Sequence, residues 1–222
     1  MPTRNLIFDL DGTLTDPADG ITRCYQYALR SLGRPVPPRG ELLKFIGPPI
    51  RQNFAASLGA GGPELVERAV SLYRERFARV GLYENEVYPG VSEMLERLRG
   101  SNLRLYVATS KMTRFAVRVL EHFRLAEFFA AVHGATPDAS LDDKSLLLAR
   151  LLEEERLIAS ESVMIGDRDH DIIAARRNAV RAVGVAYGYG SREELEAAGA
   201  DFICDSPAEI AELLRGQNPQ TF

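Results

Sequence analysis

The sequence predicts an α/β fold, a doubly wound parallel sheet of Rossmann-like type that carries an inserted all-helical segment. Three observations lead there. Short apolar runs alternate with amphipathic stretches over most of the 222 residues, the pattern of parallel strands joined by right-handed crossover helices. Residues 17–82 interrupt the alternation with helical spacing alone. The main apolar runs end on acidic or hydroxylic residues, at the strand ends where open α/β sheets bind ligands.

The first run, Asn5-Leu6-Ile7-Phe8, reads as a buried strand that leads into Asp9-Leu10-Asp11 and breaks at Gly12. In the insert, Ile21, Tyr25, Ala28, Leu29 and Leu32 recur at helical spacing and stop at Gly33, with Pro35, Pro37 and Pro38 as breakers. Residues 42–45, 50–58 and 64–82 read as further helices, divided by Gly47-Pro48-Pro49 and by the glycine-rich run before Pro63. Beyond the insert come a helix over 90–99, a strand over 103–108 ending at Thr109-Ser110, a helix over 112–123 and a short strand over 131–134. A helix over 144–155, a strand over 162–165 ending at Gly166-Asp167 and a helix over 169–178, N-capped by Asp169, follow. Strand 182–185, helix 192–198, strand 201–204 and helix 207–214 close the pattern, and the tail 216–222 is expected to fray. The expected division is a core of 1–16 with 83–222 and an inserted domain of 17–82.

Composition narrows the class. Hydrophobic residues at 45% and charged residues at 26% are ordinary for a globular protein. No apolar run has the length of a membrane span or a secretory signal, so a cytoplasmic location without membrane association is expected. Cys24 and Cys204 lie far apart in no metal spacing, and His122, His133 and His170 are scattered, which excludes a zinc site. A net charge of −4 argues against a nucleic-acid polymer as partner. Within 17–82, however, ten basic residues stand against five acidic ones, a cationic segment able to draw in an anionic substrate or simply a set of solvated helix faces.

The strand ends form a chemical set. Asp9 and Asp11 at one buried strand end are costly unless a cation lies between them, and a hard divalent ion such as Mg²⁺ suits oxygen ligands and a substrate phosphate. One carboxylate is then available as a nucleophile toward phosphorus, forming an aspartyl-phosphate. Thr109 and Ser110 offer a hydroxyl and a backbone amide for phosphate oxygens, Lys144 an ammonium for developing charge, and Asp167 a further carboxylate. Phosphoryl transfer needs little more, since its catalysis is mainly positioning and electrostatics.

Asp9-Leu10-Asp11-Gly12-Thr13-Leu14, Thr109-Ser110-Lys111, Lys144 and Gly166-Asp167-Arg168-Asp169-His170-Asp171 resemble the four ordered motifs of the haloacid dehalogenase-like hydrolase superfamily. The resemblance spans nearly the whole chain and makes 17–82 a helical cap. It implies Asp9 as nucleophile and Asp11 as the acid that protonates the leaving oxygen and later deprotonates water. It further implies Thr109, Ser110 and Lys144 around the phosphate, with Mg²⁺ held by Asp9, the Asp11 backbone carbonyl and Asp167. Asp171, one helical turn after Asp167, is expected to support Lys144 or metal-bound water. Asp11 points to a phosphatase rather than a dehalogenase. Ser145 departs from the proline that often follows the lysine, and Asn178-Ala179 from the usual Asn-Gly.

The cap is expected to choose the substrate. Residues 45–51 are the segment expected over the site, with Arg51 as a substrate contact and Phe45 and Ile50 either touching substrate or filling the cap core. This loop resembles the phosphoglycolate phosphatase-like branch, and with Val107 to Lys111 and Tyr187-Gly188-Tyr189-Gly190 it is most similar to bacterial 5′-nucleotidase-type members. The expected partner is a small phosphorylated metabolite, a 5′-nucleotide or a phosphoglycolate-like ester, for a monomer or homodimer. A sugar-phosphate mutase, for which the cap lacks a supporting His-Lys pair, and an idle phospho-ligand-binding protein are the alternatives.

Overall fold

The structure, a computed structural model, describes residues 3–215; the expected fraying of the tail lies outside them. In chain order the elements of the α/β part are β1 (Asn5–Phe8), β2 (Thr15–Asp16), then β3 (Glu86–Val87), β4 (Arg104–Met112), β5 (Ala131–Ala135), β6 (Ser162–Gly166), β7 (Arg181–Val185) and β8 (Phe202–Cys204). Six of them form one sheet in the order β5-β4-β1-β6-β7-β8, and every pairing is parallel. β1 lies between β4 and β6 with Phe8 opposite both Val107 and Ile165, so the residues that follow these three strands emerge together.

Leu6, Ile7 and Phe8 are fully buried, as expected of an apolar run with helices on both faces. One face packs Ile7, Tyr106, Ala108 and Met164 against Leu147, Leu148, Leu151, Ile172 and Ala175 of the helices Lys144–Glu154 and Asp169–Arg177. The strand expected over 103–108 runs on through Thr109 to Met112, with a shift of register after Thr109. β2 and β3 form a two-stranded ribbon that sequence reading missed, because two residues a strand carry no periodicity.

By internal contacts, Pro17–Glu86 form a second compact unit. Its helices are α1 (Ala18–Ser31), α2 (Arg39–Leu42), α3 (Ile50–Leu58) and α4 (Gly62–Arg76), with no strand before residue 86. Tyr25 is its hub, with the rings of Phe54, Tyr73 and Phe45 at 4.5, 5.2 and 5.4 Å. Phe45 is half-buried, with its ring against Tyr25. The stretch expected as one helix over 64–82 changes after Arg76 into a π-helical turn, Phe77–Gly81. A Cβ on Gly20 would lie 2.1 Å from Gly81 O, so α1 and this turn approach backbone to backbone. Residues 83–86 fall within this compact unit, although Glu86 also begins β3: Gly20 N donates to Glu84 O at 2.8 Å, and the Glu84 carboxylate takes Arg23 and Arg76.

Candidate active site

The turn after β1 is held by its own backbone. The amides of Thr13, Leu14 and Thr15 all donate to Leu10 O, at 3.3, 2.9 and 3.0 Å, while Gly12 N donates to Thr15 O at 2.8 Å. Gly12 has φ +90°, and a Cβ there would lie 2.2 Å from Asp167 Oδ2, so only glycine fits. This turn and the end of β6 hold Asp9, Asp11 and Asp167 as buried carboxylates beside one another's backbone.

Lys144 is the first residue of its helix. Asp143 caps that helix by accepting the Ser145 amide at 2.7 Å, which turns Lys144 inward and leaves it 4% exposed. Its Nζ lies 2.8 Å from Asp9 Oδ1 and 2.5 Å from Asp171 Oδ1. A lysine this deep would lose its proton to desolvation, but the two carboxylates outweigh that and hold its pKa above the usual lysine range. Burial raises Asp9, with Lys144 opposing. Burial also acts to raise Asp171, but there Lys144 prevails and the carboxyl sits below its ordinary value.

Asp171 has a second task. Its Oδ2 accepts the Arg168 amide at 3.1 Å, so Arg168 occupies the N-cap position, and Asp169, expected there, is the first helical residue. A Cβ on Gly166 would stand 2.3 Å from the Asp171 carboxyl carbon, which explains the glycine between the strand and Asp167.

Asp167 is wholly buried. Its Oδ1 accepts from Thr13 Oγ1 at 3.3 Å and its Oδ2 from the Tyr189 amide at 2.8 Å. Burial first, then repulsion from Asp171 and Asp9, push its pKa well above the carboxylate range. The segment Tyr187-Gly188-Tyr189-Gly190 wraps this carboxylate. Tyr187 Oη donates to Thr13 O at 2.8 Å, and a Cβ on Gly188 would lie 2.3 Å from Gly12 O and 2.4 Å from the Asp167 Cβ. Sequence reading noted this tetrapeptide only as a likeness. The available signal was two glycines directly after a strand expected to share the binding end of the sheet.

Thr109 is buried and its Oγ1 accepts the Lys111 amide at 3.2 Å; Ser110 Oγ is buried without a partner among the described residues. Lys111, quoted in the motif without a role, reaches Asp11 Oδ2 at 2.7 Å. Arg51 belongs to the helical unit, where its Nε donates to Glu67 Oε1 at 2.6 Å and its Nη2 to Oε2 at 3.4 Å.

The donor set suits a hard divalent cation. Four buried carboxylates, Asp9, Asp11, Asp167 and Asp171, face two ammonium groups, the buried Lys144 and the partly buried Lys111, which leaves two negative charges when all are ionised. Asp11 Oδ1 is buried with no hydrogen-bond donor among the described residues. Asp9, His170 and Asp171 also place ligand atoms within 4.8 Å of one another, but Lys144 already pairs with both of those carboxylates and is the cation of that group.

A family model described as haloacid dehalogenase-like hydrolase matches residues 6–185. A Pseudomonas aeruginosa protein named 5′-nucleotidase is 45% identical over 95% of this chain and 95% of its own length. A Mycobacterium tuberculosis protein named tyrosine-protein kinase PtkA is 38% identical over 89% of this chain, which spans 64% of that protein. Among solved structures, a predicted phosphatase from Clostridium acetobutylicum superposes with a TM-score of 0.94 at 37% identity, covering 98% of this chain and 100% of that one.

Proposed function

The chain belongs to the haloacid dehalogenase-like hydrolase family and is a phosphatase, and from that premise we propose that it hydrolyses a small 5′-nucleotide with Mg²⁺ through an aspartyl-phosphate on Asp9. The observation that carries this reading is the buried Asp9–Lys144–Asp171 group with a second acid, Asp11, two residues after Asp9. Asp171 fixes Lys144, and Lys144 fixes Asp9 Oδ1 at 2.8 Å, which leaves the other carboxylate oxygen of Asp9 to attack phosphorus. Asp11 gives its proton to the leaving oxygen and later takes one from water. The Thr109 hydroxyl, the Ser110 amide and the Lys144 ammonium receive the phosphoryl oxygens. Asp9, the Asp11 backbone carbonyl and Asp167 are the residues to hold Mg²⁺, which when bound supplies positive charge against the phosphate oxygens and the Asp9 carboxylate.

The nucleotide assignment rests on the relative named 5′-nucleotidase, which is similar across almost the whole of both chains. A phosphoglycolate-like ester is the other substrate class that the sequence suggests. Phosphate release from a panel of nucleoside 5′-monophosphates, phosphoglycolate and sugar phosphates, with Mg²⁺ and with excess chelator, tests the reading. The expected result is the highest kcat/KM on a 5′-nucleotide, abolished by chelator and by Asp9→Asn. Asp9→Asn retaining a tenth of wild-type kcat, a loss of only about 1.4 kcal/mol of barrier, overturns the covalent mechanism.

A further inference from the structure

Asp11 is held on one side only. Its Oδ2 is bound by Lys111 Nζ at 2.7 Å in a pocket where the two side chains are 10% and 6% exposed, while its Oδ1 is buried and takes no hydrogen bond among the described residues. From this asymmetry we propose that Lys111 is a positioning residue for the proton-transfer step, pinning one Asp11 oxygen so that the other meets the substrate. The proposal rests on the role given to Asp11 above.

Lys111 reaches Asp11 because of a local break in the sheet. Thr109 pairs with Gly134 and Met112 with Ala135, so Ser110 and Lys111 are two extra residues between successive pairs. Such a bulge re-aims the side chains it contains. It is anchored at both ends. The Lys111 amide donates to Thr109 Oγ1 at 3.2 Å, and the Lys111 carbonyl lies where a Cβ on Gly134 would be only 2.3 Å away. A glycine in the neighbouring strand thus makes room for the bulge, and the bulge sends a cationic side chain from the phosphate-binding strand to the acid after β1.

The physical need is clear from the torsion involved. The χ2 angle of aspartate is broad and two-fold, so an unheld carboxylate exchanges its oxygens and samples a wide arc. Proton transfer requires the donor oxygen within hydrogen-bond reach of the ester oxygen. With Oδ2 fixed by Lys111, Oδ1 is the atom that carries the proton. When the P–O ester bond breaks, its electron pair goes to the leaving oxygen, which takes that proton, and Asp11 remains as a carboxylate paired with Lys111. In the second half, water attacks the phosphorus of the aspartyl-phosphate, Asp9 departs as a carboxylate, and Asp11 Oδ1 accepts the proton of the water.

The test compares leaving groups. A p-nitrophenolate leaves without protonation, whereas the 5′-alkoxide of AMP does not. Lys111→Met is expected to lose about 100-fold in kcat/KM on AMP, the cost of a misplaced proton donor, and less than about tenfold on p-nitrophenyl phosphate, since kcat/KM stops at departure of the leaving group and excludes the water step common to both esters. Inhibition by inorganic phosphate should change by less than about twofold, since the phosphate pocket is untouched, and Lys111→Arg should recover most of the AMP activity. Lys111→Gln carries the same comparison if Lys111→Met does not fold. Equal losses on the two esters, a large rise in the inhibition constant for phosphate, or no loss on AMP overturns the proposal. Asp11→Asn is the reference: if it shows the leaving-group selectivity and Lys111→Met does not, only Lys111 is misassigned. If Asp11→Asn shows none, the acid–base role of Asp11 has failed, and the proposal with it.

Discussion

Replacing Asp167 by Asn should stabilise the metal-free protein and remove its response to Mg²⁺. The carboxylate is 0% exposed, and burial together with repulsion from Asp171 and Asp9 holds its pKa well above the usual value. A carboxyl raised in this way keeps its proton longer in the folded state. Its contribution therefore makes folding stability fall as pH climbs from the unfolded value of 3.8 through the folded pKa. Asparagine removes that ionisation while keeping an acceptor for the Tyr189 amide and a donor toward Thr13 Oγ1. The stability difference between Asp167→Asn and wild type should accordingly be small in acid and widen toward neutral pH. Mg²⁺ at 100 times its Kd stabilises a single-site protein by about 2.7 kcal/mol. At about 2–4 °C per kcal/mol for a chain of this size, that is a rise in Tm of about 5–11 °C. Thermal melts followed by circular dichroism, with chelator and with saturating Mg²⁺, read both effects. A metal-free Asp167→Asn protein that melts below wild type at neutral pH refutes the buried-charge argument, and one that keeps the full Mg²⁺ shift refutes Asp167 as a ligand.

Lys144→Met leaves Asp9 and Asp171 buried without their shared cation, so it should cost about 3–5 kcal/mol of stability as well as turnover. Urea unfolding checks this, and a midpoint equal to wild type would show that the ammonium does not support both carboxylates. Gly188→Ala places a Cβ 2.3 Å from Gly12 O and 2.4 Å from the Asp167 Cβ, and should weaken Mg²⁺ binding measured by calorimetry. Unchanged affinity would mean that the turn shifts without moving Asp167. Arg51→Met breaks a pair with the largely exposed Glu67 and should cost at most about 1 kcal/mol. The hydrogen bond from Arg51 is the main cause of Glu67's lowered pKa, so the pair's contribution is present above the ordinary glutamate value and lost as pH falls through the lowered one. KM rising for AMP but not for p-nitrophenyl phosphate would assign Arg51 to substrate, whereas equal losses would assign it to the helical unit.

How much of this was legible in the sequence depends on how local each feature is. The strand and helix runs of the sheet carry their own periodicity, and strands 162–165 and 182–185 differ from the observed elements by single residues. The acidic pair after β1 and Asp167 after β6 announce themselves because carboxylates that directly follow buried strands need partners. Lys144 is harder to place from sequence, because Asp142 and Asp143 directly precede it and could pair with it at the surface; the cap bond that Ser145 N donates to Asp143 is what turns the lysine inward. Asp169 was misplaced by one step because Asp171 reaches back to the Arg168 amide and moves the cap position. The π turn after Arg76 could not be read either, for it answers to Gly20 and Cys24 on α1, more than 50 residues earlier.

The features that escaped the sequence share a physical cause: they depend on which residues of different strands stand side by side. Lys111 meets Asp11 only because two residues bulge between the pairs Thr109–Gly134 and Met112–Ala135, and pairing register cannot be read from one strand alone. The Tyr187–Gly190 wrap around Asp167 requires that the segment after β7 come beside the turn after β1, two strands away in the sheet. Both close the site from the side. Lys111 holds one oxygen of Asp11 and the wrap one of Asp167, while Lys144, itself held by Asp171, holds Oδ1 of Asp9. Each of these three acids is thus tethered by something other than the residues that define its motif. The chemistry belongs to the strand ends, and its geometry is set by the neighbours that sheet register brings to them.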